Sequence, residues 1–301
     1  MCYNLTVLLP DACRKEPEPS VELYFTEQQT ENQRLSVRVT KTLHAEKTAF
    51  QDLVIVETPQ WGRLLALDGF FQTNDVDEFV YHEMGAHVPL FTHPDPKRVL
   101  VVGGGDGGMV REVAKHPGVE HIDLVEIDGR VIETSKQFFP QIAVALTGNP
   151  KVHVHVEDGI KWVKDREAEY DVIIIDSSEP VGPGIGLFTP EFYASVYRAL
   201  TGDGIMVAQT ESPWTNADVI KMAFRGISQS FPITRLYTLA VPTYPTGLWS
   251  FTLGSKKYDP LLAEPAARFE GFETKYYTPD LHIAAFQLPR FVQRITEEAV
   301  R

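Results

Sequence analysis

The chain has 301 residues, is 43% hydrophobic, and carries 41 acidic against 28 basic side chains, a formal net charge of −13. That length permits a large core in one or two domains. The acidity argues against a nucleic-acid binder, and no apolar run approaches the roughly 18 residues needed to cross a bilayer. An acidic surface suits the steering of cationic substrates, and it serves solubility equally well.

Residues 1–20, MCYNLTVLLPDACRKEPEPS, read as a poorly ordered leader without the basic start of a signal peptide. Lys15 to Pro19 breaks regular structure. Both cysteines, Cys2 and Cys13, lie in this leader. No disulfide framework is therefore expected, and a reducing cytoplasm is the simplest setting.

Residues 21–75 form the next unit, a small antiparallel β domain. Leu35 to Thr40 alternates apolar and polar residues, and Phe50 to Glu57 and Arg63 to Leu67 are further strands. Pro59 to Gly62 and Asp68-Gly69 supply turns. Asp75 to Phe91 then reads as a helix, capped by Asn74 or Asp75, with Phe79, Met84 and Val88 toward the core. Tyr81 and His82 are adjacent on it and point in different directions. Pro94 and Pro96 end the segment.

Residues 76–301 are expected to form a second domain, Rossmann-like and of the α/β class, with a mostly parallel sheet. Strands are expected at Val99–Val102, Ile122–Glu126, Val152–Val156, Val172–Ile175 and Ile205–Gln209, with helices near 107–116, 129–145, 159–166, 189–201 and 216–230. This alternation implies right-handed crossovers. Segments near 234–241 and 248–254 add an antiparallel pair at one edge, and the tail from Leu288 is an amphipathic helix.

The stretch that organises this domain is Arg98 to Gly108, RVLVVGGGDGG. Its short apolar run reads as a buried parallel strand. Gly103, Gly105 and Gly108 fit the dinucleotide spacing G-x-G-x-x-G, which alone is a weak signal. Asp106 sharpens it. A turn built for pyrophosphate offers backbone N–H groups to an anion, whereas a carboxylate there repels phosphate and attracts a cation. Asp106 therefore points to a nucleoside ligand bearing positive charge, such as a sulfonium or amine; the plainer reading is a helix cap.

The carboxyl ends of the other strands carry further acids, where ligands bind in open α/β sheets. They are Glu126-Ile-Asp128, Glu157-Asp158-Gly159, Asp176-Ser-Ser-Glu179 and Gln209-Thr-Glu211. Glu126 follows the glycines at the distance where an acid accepts both ribose hydroxyls, or it serves as a helix cap. Asp158 either accepts an adenine amino group or caps the next helix. Asp176 ends an apolar strand and points into the cleft; Glu179 lies in a Pro- and Gly-rich loop that could fold over a ligand. Two like charges at 4 Å repel by about 4 kcal/mol at an effective dielectric near 20. Such a cluster makes sense beside a polycation, so an adenosine-like ligand next to a di- or polyamine is expected. A divalent metal is the other use of clustered acids, and it ranks lower because a nucleoside accounts separately for Glu126 and Asp158.

At these residues the chain resembles the polyamine aminopropyltransferases, and within them the spermidine synthases. The resemblance runs from about Leu23 to Val292. It rests on Asp77-Glu-Phe-Val-Tyr81-His82-Glu-Met, GGGDGG, Val125-Glu126-Ile-Asp128, Asp158-Gly159, Asp176-Ser-Ser-Glu179-Pro-Val-Gly-Pro183, Ala208 to Trp214, Pro242 to Gly247 and Lys275 to Phe286. It implies a small β domain followed by a methyltransferase-like Rossmann domain. It also implies transfer of the aminopropyl group of decarboxylated S-adenosylmethionine, a co-substrate, to an amine, usually putrescine, giving spermidine and methylthioadenosine. No cofactor or metal is implied.

By position, the resemblance assigns Gln51, Glu126, Asp158 and Gly159 to the methylthioadenosine part, with Pro183 on the adenine and Asp106 on the aminopropyl ammonium. Tyr81, His82, Glu179, Gln209 and Tyr244 would line the amine channel. Asp176 would be the general base, with Tyr81 helping to accept and orient the amine. One departure is Glu179, where the family usually has a second Asp; the side chain is one methylene longer, which bears on the choice of acceptor amine.

Four other readings compete: an aminopropyltransferase using cadaverine, agmatine or spermidine, a methyltransferase that would not need Asp106, an NAD-dependent oxidoreductase, and a polyamine-binding scaffold. Exposed edges of the N-terminal strands, with the family's habit, lead us to expect a homodimer or homotetramer.

Overall fold

A computed structural model describes residues 21–178 and 182–301. The leader 1–20 and the candidate Glu179 lie outside the described residues. In chain order, β1 (Leu23–Thr30) and β2 (Gln33–Val39) pair as an antiparallel hairpin. The next four strands, β3 (Lys41–Lys47), β4 (Asp52–Thr58), β5 (Gly62–Leu67) and β6 (Phe70–Asn74), form an antiparallel sheet in sequential order. Asp68 and Gly69 both have positive φ, 49° and 86°, as a two-residue hairpin of right-handed twist requires. One face of this sheet packs Val56, Leu64 and Ala66 with Phe25 and Leu35 of the hairpin. The other packs Leu53, Ile55 and Leu65 against Val131, Phe139 and Ile142 of the following domain. That second contact seats the small sheet on the edge of the cleft.

The expected helix at 75–91 begins later, as α1 (Glu78–Thr92). Asp77 occupies the cap position without a side-chain cap. Asn74 instead accepts the Val76 and Asp77 amides, and Asp75 accepts the Arg63 amide and its Nε. Local turn bonds thus compete successfully with helix capping. Met84 and Val88 are fully buried, while Phe79 is only partly buried.

The α/β domain then runs β7 (Arg98–Gly103), α2 (Gly108–Ala114), β8 (His121–Glu126), α3 (Gly129–Phe138), β9 (Val152–Val156), α4 (Gly159–Lys164), β10 (Tyr170–Asp176), α5 (Pro190–Ala199), β11 (Leu200–Gln209), α6 (Ala217–Ser230), β12 (Ile233–Ala240), β13 (Leu248–Ser255), α7 (Ala266–Phe269), α8 (Pro279–Ala284) and α9 (Arg290–Ala299). The expected helix over 129–145 is two pieces. α3 stops at Phe138, and a 3-10 turn follows at Ala143–Leu146. Pro140 lies between them, and proline removes a donor and clashes with the preceding turn. β11 starts five residues earlier than its apolar core suggested, because Leu200 pairs with Tyr170 before the register shifts.

Seven strands form one sheet in the order β12-β13-β11-β10-β7-β8-β9. The five strands from β11 to β9 are parallel, and the β12–β13 pair is antiparallel, as expected at one edge. Why β7 and β10 read as unbroken apolar runs follows from the layers. Val99, Val101, Val172 and Ile174 face one core, and Leu100, Val102, Ile173 and Ile175 face the other. Each of these eight side chains is at most 2% exposed. Each contributes up to about 1.5–3 kcal/mol of burial. The helical layers on both faces leave only the strand ends open. Chain order reverses beside β7, so the crevice for a ligand opens at its carboxyl end.

Candidate active site

A cleft of about 1320 Å³, open to solvent, lies at that point. Gln51, Tyr81, His82, Asp106, Glu126, Asp158, Gly159, Asp176, Gln209 and Tyr244 all line it. Two expected residues are not located there by side chain. Glu179 is outside the described residues, and Pro183 falls within the 3-10 segment Gly182–Phe188.

The glycine turn brings two acids close to its backbone. Gly103 and Gly104 have φ of 79° and 69°. A Cβ on Gly103 would lie 2.1 Å from the Asp176 carbonyl oxygen, and one on Gly104 would lie 2.6 Å from Asp176 Oδ2. On the other side, a Cβ on Gly105 would lie 2.9 Å from Glu126 Cγ. Gly103 and Gly104 need glycine for conformation and for space, and Gly105 for space.

Glu126 ends β8 and is 8% exposed. Its Oε2 accepts the Gly105 amide at 3.1 Å and its Oε1 accepts the Asp128 amide at 2.9 Å. Burial outweighs these bonds and pushes its carboxyl up to about 7. Asp128 caps α3 through the Arg130 amide and also accepts Gln51 Nε2 at 2.9 Å and Thr48 Oγ1 at 2.7 Å. The small sheet is thereby tied to the strand end, with Gln51 held at the cleft. Asp158 caps α4 by accepting the Ile160 amide at 2.9 Å; it is also half-buried and lines the cleft, so the cap reading is met without taking the carboxylate away from the cleft. Gly159 follows without a side chain because a Cβ there would strike Val102 Cγ1 at 2.4 Å.

Across β7, Asp176 accepts the Tyr81 hydroxyl at 2.7 Å. Burial, and then the Asp106 charge, raise the Asp176 carboxyl to about 6, against the opposing pull of His82 and Tyr81. Burial and the Asp176 charge hold the Tyr81 hydroxyl well above the usual tyrosine range, so Tyr81 keeps its proton and donates. Asp106 Oδ1 accepts the Gly108 amide at 2.8 Å, and Oδ2 lies 3.2 Å from His82 Nε2. The helix-cap reading of Asp106 is therefore met in part, while its second oxygen serves the cleft. Tyr81 and His82, adjacent on α1, engage different partners as expected, yet both line the same cleft.

Gln209 is buried and donates to the Ser177 carbonyl at 3.2 Å. Tyr244 donates to the Gln72 carbonyl at 2.7 Å, and its ring lies 5.5 Å from Tyr81 and 4.8 Å from Trp249. Glu157 is exposed, and neither it nor Glu211 lines the cleft. Sequence reasoning missed Phe71, Gln72 and Trp249 in the lining. Gln72 contributes a backbone carbonyl, which no side-chain pattern reveals. Among the described residues, no group of three or more His, Cys, Asp or Glu side chains could hold a metal ion.

Fold and site together describe a Rossmann-like domain with an acidic cleft at its strand ends, bordered by a small β domain. The family model of the spermine/spermidine synthase domain matches residues 78–263, and that of the spermidine synthase tetramerisation domain matches residues 23–75. The chain is 57% identical over 272 residues to a polyamine aminopropyltransferase of Bacillus cereus, covering 90% of this chain and 98% of that one. It is 54% identical over 277 residues to one of Caldicellulosiruptor saccharolyticus, covering 92% and 99%. Among solved structures, a spermidine synthase in complex with the transition-state analogue AdoDATO superposes with a TM-score of 0.91 at 41% identity, covering 95% of this chain and 99% of that one. The spermidine synthase of Thermotoga maritima superposes with a TM-score of 0.89 at 40% identity, covering 95% and 98%. The chain belongs to the polyamine aminopropyltransferase family, as the motif resemblance implied.

Proposed function

We propose that the protein is a spermidine synthase, moving the aminopropyl group of decarboxylated S-adenosylmethionine to putrescine. One observation carries the reading. Asp106 and Asp176 face one cleft with the Tyr81 hydroxyl, while Glu126 and Asp158 face it from the other side of β7. An acidic half beside a nucleoside half suits a donor that is an adenosine bearing a cationic aminopropyl arm. The structural relative bound to AdoDATO supports a ligand of that kind.

In the reaction, the acceptor nitrogen forms a bond to the aminopropyl carbon as the carbon–sulfur bond breaks. Methylthioadenosine departs as a neutral thioether, so the step calls for no metal or cofactor. The acceptor amine, with a pKa near 10 by analogy with lysine, must first lose a proton. Asp176 takes it, and Tyr81 orients Asp176. Glu126 and Gln51 hold the ribose side, Asp158 and Gly159 the adenine side with Pro183, and Asp106 the donor ammonium. His82, Gln209, Tyr244 and Glu179 complete the amine channel. A carboxylate at Asp106 also disfavours intact S-adenosylmethionine, which would bring its own carboxylate there.

The test is release of methylthioadenosine from decarboxylated S-adenosylmethionine with putrescine, cadaverine, agmatine and spermidine offered separately. Release with putrescine is expected. Preference for another amine would keep the reaction class and point to Glu179, the one departure in the channel. No release with any amine would overturn the reading. We also propose a cytoplasmic homodimer or homotetramer joined through the N-terminal strands, consistent with the tetramerisation-domain match over residues 23–75; light scattering showing a monomer would reject it. Among the described residues no helix is long and apolar enough to cross a membrane.

A further inference from the structure

His82 is 2% exposed and lies between two carboxylates. Its Nδ1 is 2.5 Å from Glu78 Oε2, one turn earlier in α1, and its Nε2 is 3.2 Å from Asp106 Oδ2. Glu78 is itself gripped by Arg111 of α2, whose two terminal nitrogens donate at 3.0 and 2.8 Å. Arg111 Nε is held in turn by Glu112 Oε1 at 2.7 Å. A neutral imidazole has one N–H and can donate to only one neighbour, whereas an imidazolium donates to both. The arginine fork fixes both orientation and charge of Glu78. Nor can the ring turn away. The start of α2 closes on it so tightly that a Cβ on Gly108 would lie 2.2 Å from His82 Cε1. The Tyr81 ring stands edge-on at 5.6 Å.

We infer that Glu78, clamped by Arg111, is a positioning residue that holds His82 as an imidazolium paired with a carboxylate on each side, a fixed cation beside Asp106 that cannot serve as a base. The consequence for catalysis rests on the proposed function; the charge state of His82 does not. Burial alone would push His82 down, but Asp106 and Glu78 more than offset it and lift it to about 10. Glu78 is buried too, yet His82 and Arg111 bring it down to about 2. With both nitrogens protonated, His82 offers no lone pair to a substrate proton, which leaves Asp176 as the acceptor. Its charge also opposes the repulsion by Asp106 that raises Asp176. The groups that set its state are thus Glu78 on its own helix, Asp106 on the glycine turn, Asp176 at the end of β10, the neighbouring Tyr81, and Arg111 behind Glu78.

The first test uses the unmodified enzyme labelled with 15N-histidine, the His82 signals being assigned by their loss in His82→Gln. Both ring nitrogens are expected to show imidazolium shifts at pH 8. A neutral-tautomer signature at that pH overturns the inference, whatever the enzyme's turnover, so its failure is distinct from failure of the proposed reaction. The second test is Glu78→Gln. His82 is then expected to titrate below its value in the unmodified enzyme, and the acid limb of kcat/KM to rise by about one unit, a tenfold loss on its acid side. Introduced into His82→Gln, the same change should have no further effect on kcat/KM. Equal losses in the two backgrounds, or an unaltered His82 titration, overturn it. Arg111→Lys keeps the charge and removes the fork, and is expected to move the limb the same way even if Glu78→Gln does not fold.

Discussion

At the scale of single residues, the cleft works by placing acids where burial disfavours their charge and then offsetting that cost unequally. Asp176 sits near 6 because burial and Asp106 outweigh Tyr81 and His82. It is ionised above that pH and accepts a proton there; below it, it does not. We expect kcat/KM to fall on the acid side of about pH 6. Asp176→Asn should lower turnover by about 10²–10⁴ and leave methylthioadenosine binding in calorimetry nearly unchanged. Loss of nucleoside binding with turnover intact would contradict the assignment. Glu126, raised to about 7 by burial, carries a proton in part of the free enzyme at neutral pH. Ribose hydroxyls donate best to the carboxylate, so nucleoside binding should release protons and strengthen as pH rises through about 7. Titration at pH 6.5 in buffers of differing ionisation enthalpy measures this, and zero proton release would count against Glu126 as the ribose ligand. The acids were legible as residues in the sequence. The direction in which each titrates was not, because it depends on Tyr81, His82 and the amides of Gly105 and Asp128, brought in from other elements.

At the scale of elements, the strand–turn–helix around GGGDGG was readable because a buried run followed by glycines has few other solutions. What the turn's glycines accommodate was not readable. They make room for the backbone of Asp176 and the side chain of Glu126. Gly103→Ala places a Cβ against the Asp176 carbonyl in a left-handed conformation. We expect it to destabilise the fold by about 2–4 kcal/mol and to impair turnover, with an unchanged urea midpoint as the contrary result. The division of 129–145 shows the opposite limit. Pro140 was in view, but a run of apolar residues through Ala143–Leu146 resembles a continued helix until its 3-10 turn is seen packed on α2 and α3.

At the scale of the molecule, the net charge of −13 and a cleft lined by acids form one field. A dicationic acceptor should be steered by it, whereas neutral methylthioadenosine should not. Raising ionic strength from about 0.01 M to about 0.1 M shortens the screening length from about 30 Å to about 10 Å. We expect kcat/KM for putrescine to fall severalfold over that range while the Kd of methylthioadenosine stays level; equal salt responses would remove steering from the account. The seating of the small sheet is also a property of the whole. Leu53, Ile55 and Leu65 read as strand residues, and only in the assembled fold do they meet α3 and carry Gln51 to Asp128.

The sequence by itself determined the α/β class, the parallel order implied by alternating strands and helices, the glycine turn, and the acids at the strand ends, because periodicity and motif spacing are local. Family membership was legible for the same reason: the motifs are short and lie in a fixed order. Only the tertiary structure decided that Tyr81 donates to Asp176, that Asp158 caps a helix and Asp106 accepts the first amide of another while both line the cleft, and that Glu78 and Arg111 stand behind His82. Those outcomes depend on contacts between elements distant in the chain, and a carboxylate's role follows from the donors and the dielectric that such contacts bring around it.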